Sequence, residues 1–337
     1  MKSLLGSWSG GDFLWESMML RIFAAAVLAT LGLATAPALA NPQLASIPGA
    51  RANMEVLETR LIQSDEFEYP HAVSIALPAS YRVQPDRNYP VMWVLDDPLM
   101  FRTAVATVDL LVSGNMMPEI VVIGVGSPVE EGLAGVGKRI MEFSPPGEGF
   151  AAPGLNREAV RSVAPFPPYP HRADELLSFL GGKLRTDLSA EFRFADDHIL
   201  HGHSLGGLFA GYALFARPDL FDRMILGSPA IANVDDAVFK LESEFADNNS
   251  ELSIDLFVGA GGEEGNEWFL NAGGILTGAA RFIETMNLRN YEGLTIKSRF
   301  YDGEDHYTVV PRIMSDALRH FYREEAVALS STWPQKP

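Results

Sequence analysis

Val91 to Leu95 and Ile120 to Val125 are unbroken apolar runs, and no other feature of this chain restricts its fold more. A strand that is apolar at every position has both faces covered, the condition of a parallel sheet held between layers of helices. Ile199-Leu200, Ile254 to Val258 and Thr295 to Tyr301 extend the set, while Met54 to Ile62 and Ala72 to Leu77 alternate as two opening strands. Helical stripes fill the gaps, one at Leu176, Leu177, Leu180, Leu184 and Leu188 and another at Ile313, Ala317, Leu318 and Phe321. Strand and helix in alternation predict an α/β class with a mostly parallel central sheet flanked by helices. With 47% apolar and 20% charged residues in 337, the chain has material for one large core and no signature of global disorder.

The expected domain covers 53–326, with a lead at 41–52, a tail at 327–337 and a lid-like insertion near 127–171. That insertion is dense in Pro and Gly, as in Ser144-Pro145-Pro146-Gly147 and Pro165-Phe166-Pro167-Pro168, and long aperiodic stretches of this kind are usually functional or mobile. Residues 1–40 read as a signal peptide, with Arg21, an apolar run from Ile22 to Leu33 and Ala38-Leu39-Ala40 as a cleavage site before Asn41. Asp12 and Glu16 fit poorly in a basic leader, so Met18 or Met19 is the expected start. The apolar run is shorter than the roughly 18–20 residues of a spanning helix. The expectation is therefore export to the periplasm or medium, with no stable membrane anchor after cleavage. The absence of cysteine excludes a disulfide framework, a thiolate nucleophile and a lipid-modified cysteine. A formal charge of -17 argues against nucleic acid, which is bound through Lys and Arg, and also repels anionic membranes.

The chemistry centres on His198-Ile199-Leu200-His201-Gly202-His203-Ser204-Leu205-Gly206-Gly207-Leu208. A strand enters Gly-x-Ser-x-Gly and a helix leaves it, the context in which a serine sits exposed on a strained turn as a nucleophile. Gly202 and Gly206 are small enough to let strand and helix approach. The amide of Leu205 opens the helix and can donate to an oxyanion. A serine hydroxyl requires a base, and His306, in the Gly-containing loop Asp302-Gly303-Glu304-Asp305-His306, follows the last strand and precedes the last helix. The acid that orients it is expected just past Ile254 to Val258, where Glu264 is preferred and Glu263 is the alternative. The second oxyanion amide is expected from Asp96-Asp97-Pro98; Pro98 has no N–H, so Asp97 is the candidate. His201 and His203 share a strand face, but no third ligand accompanies them, so no metal and no cofactor is expected.

From about Glu55 to Phe321 the chain resembles the esterase family that includes enterochelin (ferric siderophore) esterases and esterase D relatives. Tyr89-Pro90-Val91-Met92-Trp93-Val94-Leu95-Asp96-Asp97 is similar to that family's Y-P-V-x-Y-x-L-D-G, and Gly202-His203-Ser204-Leu205-Gly206-Gly207 to its G-H-S-x-G-G. Arg217-Pro218-Asp219-Leu220-Phe221 and Ser228-Pro229-Ala230 follow the same pattern. The resemblance implies an α/β-hydrolase fold, a small-molecule or siderophore-like ester substrate, and the roles of Ser204 and His306. Asp97 stands where the family has glycine. Arg139-Ile140-Met141-Glu142-Phe143-Ser144-Pro145 keeps one arginine and one acid of the family's R-x-R-D-Y-T-P. Because arginines near the site help siderophore-cleaving relatives hold an anionic ligand, Arg139, with His203 at the variable elbow position, is the expected substrate contact. The expected activity is carboxylic-ester hydrolysis through an acyl-enzyme. The rivals are an acyltransferase with the same triad and a non-catalytic binding protein on the same scaffold.

Export makes a direct prediction. Intact-mass measurement on protein from the periplasm or medium of the native host is expected to show a chain beginning within a few residues of Asn41. A full-length chain in the cytosol contradicts it.

Overall fold

The computed structural model describes residues 54–147 and 170–330. The expected signal peptide, the lead, residues 148–169 of the expected insertion and 331–337 of the tail lie outside the described residues. Nine strands form one sheet: β1 (Glu55–Val56), β2 (Arg60–Ile62), β3 (His71–Leu77), β4 (Tyr89–Leu95), β5 (Val121–Gly126), β6 (Phe194–His203), β7 (Arg223–Gly227), β8 (Glu251–Gly261) and β9 (Glu292–Tyr301). Their order is β1-β3-β5-β4-β6-β7-β8-β9, with β2 also paired to β3. Strands β5, β4, β6, β7, β8 and β9 run parallel, whereas β3 is antiparallel to β5, and β1 and β2 to β3. The parallel strands include the unbroken apolar runs, and the reason is visible in the packing.

Along β4, Val91, Trp93 and Leu95 enter one core cluster while Met92 and Val94 enter a second on the opposite face. The first face is covered by α3 (173–191), α4 (Leu205–Ala216), α5 (Asn233–Asn248) and α7 (Ile275–Arg289), and the second by α1 (Leu99–Ser113) and α8 (Val310–Phe321). Helix α2 (Leu133–Phe143) lies within the Pro/Gly-dense stretch, α6 (Trp268–Ala272) is one short turn, and α9 (Arg323–Ser330) ends the described chain. Helix α3 runs from Ala173–Phe179 through a π-helical turn at Leu180–Leu184 into Arg185–Glu191. The turn falls on Gly181-Gly182, and a Cβ at Gly181 would come within 2.8 Å of the Leu220 side chain. Gly181 thus marks a close approach, while Gly182 faces open space. Strand β7 goes beyond the sequence reading, since Met224-Ile225-Leu226 is too short an apolar run to stand out from a loop.

This doubly covered parallel sheet is the α/β-hydrolase fold. At its centre β6 turns into α4 with one residue between them, Ser204, at φ 59° and ψ -118°. Positive φ is uncommon for a residue with a Cβ, and here three hydrogen bonds hold it. The Ser204 N–H donates to the Gly227 carbonyl at 2.9 Å, and its own carbonyl accepts from Leu208 at 3.1 Å and Ala230 at 3.0 Å. A Cβ on Gly202 would fall on the carbonyl of Gly206, and one on Gly207 would lie 2.8 Å from Pro229. Gly202→Ala is therefore expected to destabilise the fold by about 3 kcal/mol or more, the range of severe overpacking, read as a lowered midpoint in chemical unfolding. An unchanged midpoint contradicts the contact.

Candidate active site

Every chain segment that reaches the site arrives from the carboxyl end of a parallel strand, where ligand crevices of open α/β sheets lie. Ser204 comes from β6. After β8, a 3-10 turn at Gly262–Asn266 carries Glu263 and Glu264, and after β9 a loop carries His306 toward α8. The two loops are tied together, for the Glu263 N–H donates to the Glu304 carbonyl at 3.0 Å. Asp305 Oδ1 accepts the N–H groups of Tyr307 and Thr308, each at 2.8 Å, which closes a tight turn around His306. Those backbone donors also hold the Asp305 carboxyl below its ordinary range.

Glu264 is 1% exposed. Its Oε1 lies 3.5 Å from His306 Nδ1, accepts the Ser228 hydroxyl at 2.5 Å and accepts the Gly261 N–H at 3.1 Å. Two donors, the Ser228 hydroxyl and the Gly261 N–H, hold this buried oxygen in one place beside the imidazole. Glu263 is exposed, and its carboxylate accepts from the Asn266 side chain at 2.7 Å. Of the two carboxylates left open by the sequence, the structure brings Glu264 to the imidazole.

Ser204, Leu205, His306 and Arg139 line a common cavity of about 270 Å³, with Val136, Ile140, Phe269 and Tyr307 among its apolar walls. Leu205 is the first residue of α4, so its N–H has no partner within the helix and sits at the positive end of the helix dipole. Arg139 Nε and Nη2 pair with the two oxygens of Asp96, and Nη2 also donates to the His203 carbonyl at 3.4 Å. Asp96, at φ 64°, follows β4, and its Oδ2 is 3.5 Å from where a Cβ on Gly206 would stand.

Two expected groups stand elsewhere. The Asp97 N–H donates to the Val125 carbonyl at 3.3 Å, which continues the β4–β5 ladder and leaves no proton for an oxyanion. Its carboxylate turns into the protein, 7% exposed, and accepts the Ser74 hydroxyl at 2.7 Å, while burial pushes its pKa up. His203 is 2% exposed and packs against the His306 ring with centroids 4.6 Å apart, behind the imidazole rather than on the cavity wall. The sequence reading assigned no role to Ser228, Asp96 or Asn233. Asn233 lines the cavity with its side-chain oxygen buried and unpaired. Ser228 could have been found from its place after an apolar triplet, had β7 been recognised.

A family model described as "Putative esterase" matches residues 64–320. The chain is 25% identical over 284 residues to the ferri-bacillibactin esterase BesA of Bacillus subtilis (strain 168), covering 81% of this chain and 92% of that one. It is 27% identical over 191 residues to a siderophore enterobactin esterase of Emericella nidulans, covering 55% and 60%. Among solved structures, the siderophore hydrolase EstA from Aspergillus nidulans superposes with a TM-score of 0.67 at 20% identity, over 83% of this chain and 97% of that one. The BES protein from Bacillus cereus gives 0.64 at 24%, over 81% and 95%.

The histidines of β6 make stability depend on pH. Burial pushes His198 and His201 from 6.5 down to about 4, and His203 well below 6.5, with His306, His201 and Arg139 adding to the effect. His198 Nδ1 accepts the Trp93 indole N–H at 3.2 Å, a bond only the unprotonated ring can make. These rings stay neutral in the fold and protonate first in the unfolded chain, so stability is intact above 6.5 and falls as pH drops toward 4. Unfolding free energy measured by urea is expected to decline already between pH 6.5 and 5, above the range where ordinary carboxylates titrate. A flat profile in that window contradicts the burial of these rings.

Proposed function

The chain belongs to the "Putative esterase" family, and from that premise we propose that it hydrolyses a small-molecule or siderophore-like carboxylic ester through an acyl-enzyme on Ser204. The observation that carries this reading is the Glu264 Oε1 to His306 Nδ1 approach of 3.5 Å beside a cavity that Ser204 and His306 both line. Ser204 attacks the ester carbon while His306 takes its proton through Nε2, later returning it to the leaving alcohol. Glu264 holds Nδ1 protonated and offsets the charge of the imidazolium as it forms. The Leu205 amide donates to the oxyanion, backed by the first turn of α4. Ser228 and Gly261 keep Glu264 aimed, so that the acid is preorganised before substrate arrives. Water resolves the acyl-enzyme by the same proton route in reverse. None of these steps calls on a metal or cofactor.

The relatives named as siderophore esterases support an ester bond as the target. Export to the periplasm or medium, proposed from the leader sequence, suits an enzyme that meets such ligands outside the cytosol; no helix among the described residues is long and apolar enough to cross a membrane.

Ser204→Ala is expected to fold normally and lose about 10³-fold or more in kcat on p-nitrophenyl acetate. Glu264→Gln is expected to lower kcat by up to about 10⁴-fold with KM little changed, whereas Glu263→Gln stays near wild type. Steady-state kinetics on the purified chain check both; wild-type turnover by Ser204→Ala ends the serine mechanism, and an inactive Glu263→Gln beside an active Glu264→Gln moves the acid by one residue.

A further inference from the structure

One polar group on the cavity wall has no part in the reaction and no partner. Among the described residues that line the cavity, Ser204 and His306 are taken by the chemistry, Arg139 by its fork on Asp96, and Tyr307 stands exposed at the mouth. Asn233 remains. It is 3% exposed, it shares the wall with the buried apolar Ala230, Ala272 and Ile275, and its Oδ1 has no hydrogen-bond partner among the described residues. A buried carbonyl oxygen without a donor carries the full cost of its lost hydration, which an apolar side chain of similar shape would avoid. Buried polar groups are paired as a rule, and an unpaired one beside a cavity points to a partner that comes from outside the chain.

The backbone of Asn233 is fixed from both sides. The Ala230 N–H donates to the Ser204 carbonyl at 3.0 Å and the Asn233 N–H to the Ala230 carbonyl at 3.0 Å, so two hydrogen bonds join it to the main chain of the serine. After it, Val234, Asp235 and Asp236 stand at φ 54°, 55° and 60°, a region that residues with a Cβ rarely adopt. Val234 is buried, and Asp236 accepts from Arg281 of α7 at 2.6 Å, which holds the turn in place. The side-chain oxygen lies 3.9 Å from where a Cβ on Gly273, also on the cavity wall, would stand.

The chemistry of the missing partner follows from the lining. A carbonyl oxygen takes a hydrogen-bond donor. No carboxylate lines the cavity among the described residues, so an ammonium group would be buried there without a counter-charge; a neutral amide N–H or hydroxyl would not. The half of the ester that bears the donor follows from exposure. Phe269 and Tyr307 are exposed at the mouth and Asn233 is buried at the inner end, while the alcohol half has to leave as the acyl half stays on Ser204. We infer that Asn233 is a specificity-determining residue, selecting esters whose acyl portion carries a neutral hydrogen-bond donor. The inference rests on Ser204 being the nucleophile. An ester without the donor leaves Oδ1 unpaired in a closed complex, and a site built this way discriminates against it.

Two pairs of esters test the selection by steady-state kinetics. The p-nitrophenyl esters of N-acetylglycine and 4-oxopentanoic acid differ by N–H against CH2, and those of 3-hydroxybutyric and 3-methylbutyric acid by O–H against CH3. The quantity read is the ratio of kcat/KM within each pair, compared between wild type and variant, which cancels the reactivity of the esters themselves. Asn233→Leu, with its melting temperature checked, is expected to lower the donor-to-donorless ratio by about tenfold or more in at least one pair, and the pair that responds tells amide from hydroxyl. Asn233→Ala guards against overpacking in the first variant and is expected to lower the same ratio. Ratios unchanged in both pairs in a folded variant, including an equal loss on all four esters, overturn the proposal. Ser204→Ala runs alongside: if it is inactive while the Asn233 variants keep the wild-type ratios, only the selection fails, and if it is active the serine reading itself fails.

Discussion

One close approach governs the carboxyl edge of the sheet: the backbone of β6 at Gly202 against the first turn of α4 at Gly206. Gly202 cannot carry a side chain, because its Cβ would fall on the Gly206 carbonyl, whereas a Cβ on Gly206 would meet Asp96 and Leu95 only at ordinary contact distance; Ser204 between them is held at positive φ by bonds to Gly227, Leu208 and Ala230. The bond to Gly227 ties the turn to β7, and the Ser228 N–H donates in turn to the Gly259 carbonyl of β8 at 2.6 Å. The strained turn is thus fixed through β7, and through β7 to β8, rather than by its own sequence alone. Strain of this kind persists only where the surroundings over-determine it.

Three carboxylates crowd this edge in a chain of formal charge -17, and each is stabilised by a different means. Glu264 is buried, and Ser228 and Gly261 donate to it. Asp96 is balanced by the Arg139 fork. Asp97 is the opposite case, its pKa raised by burial and only partly restored by Ser74. Hydrogen bonds, a counter-charge and desolvation therefore sort three similar side chains into three electrostatic roles within two adjoining loops.

What could be read from the sequence was local. Gly202, Ser204, Leu205 and Gly206 are contiguous, and the apolar strand before them and helix after them reveal the turn without any tertiary information. The core strands were legible because burial on both faces leaves its mark on every residue of Val91 to Leu95. Glu264 was preferred but Glu263 stayed open, since which of them faces inward depends on a 3-10 turn whose phase the composition of Gly262 to Gly265 does not set. The Asp97 N–H was misassigned for a related reason: its ladder bond to Val125 depends on strand register, which is a property of the pair and not of either segment. His203 carried an unused clue, because it alternates with His201 on a strand with both faces covered, which sends both rings inward.

The cavity and the residues proposed to act in it hang from different parts of the framework. Ser204, Glu264 and His306 sit at the ends of β6, β8 and β9, cross-tied through Ser228 and the Glu263–Glu304 backbone bond. Much of the apolar wall comes instead from α2 and from α6, a turn of five residues with Trp268 and Phe269 exposed. Such a division lets heritable change proceed unevenly. Substitutions in α6 alter the size and greasiness of the opening without touching any strand, so a lineage can explore new ligands through a handful of surface aromatics while the reactive serine, imidazole and carboxylate stay in register.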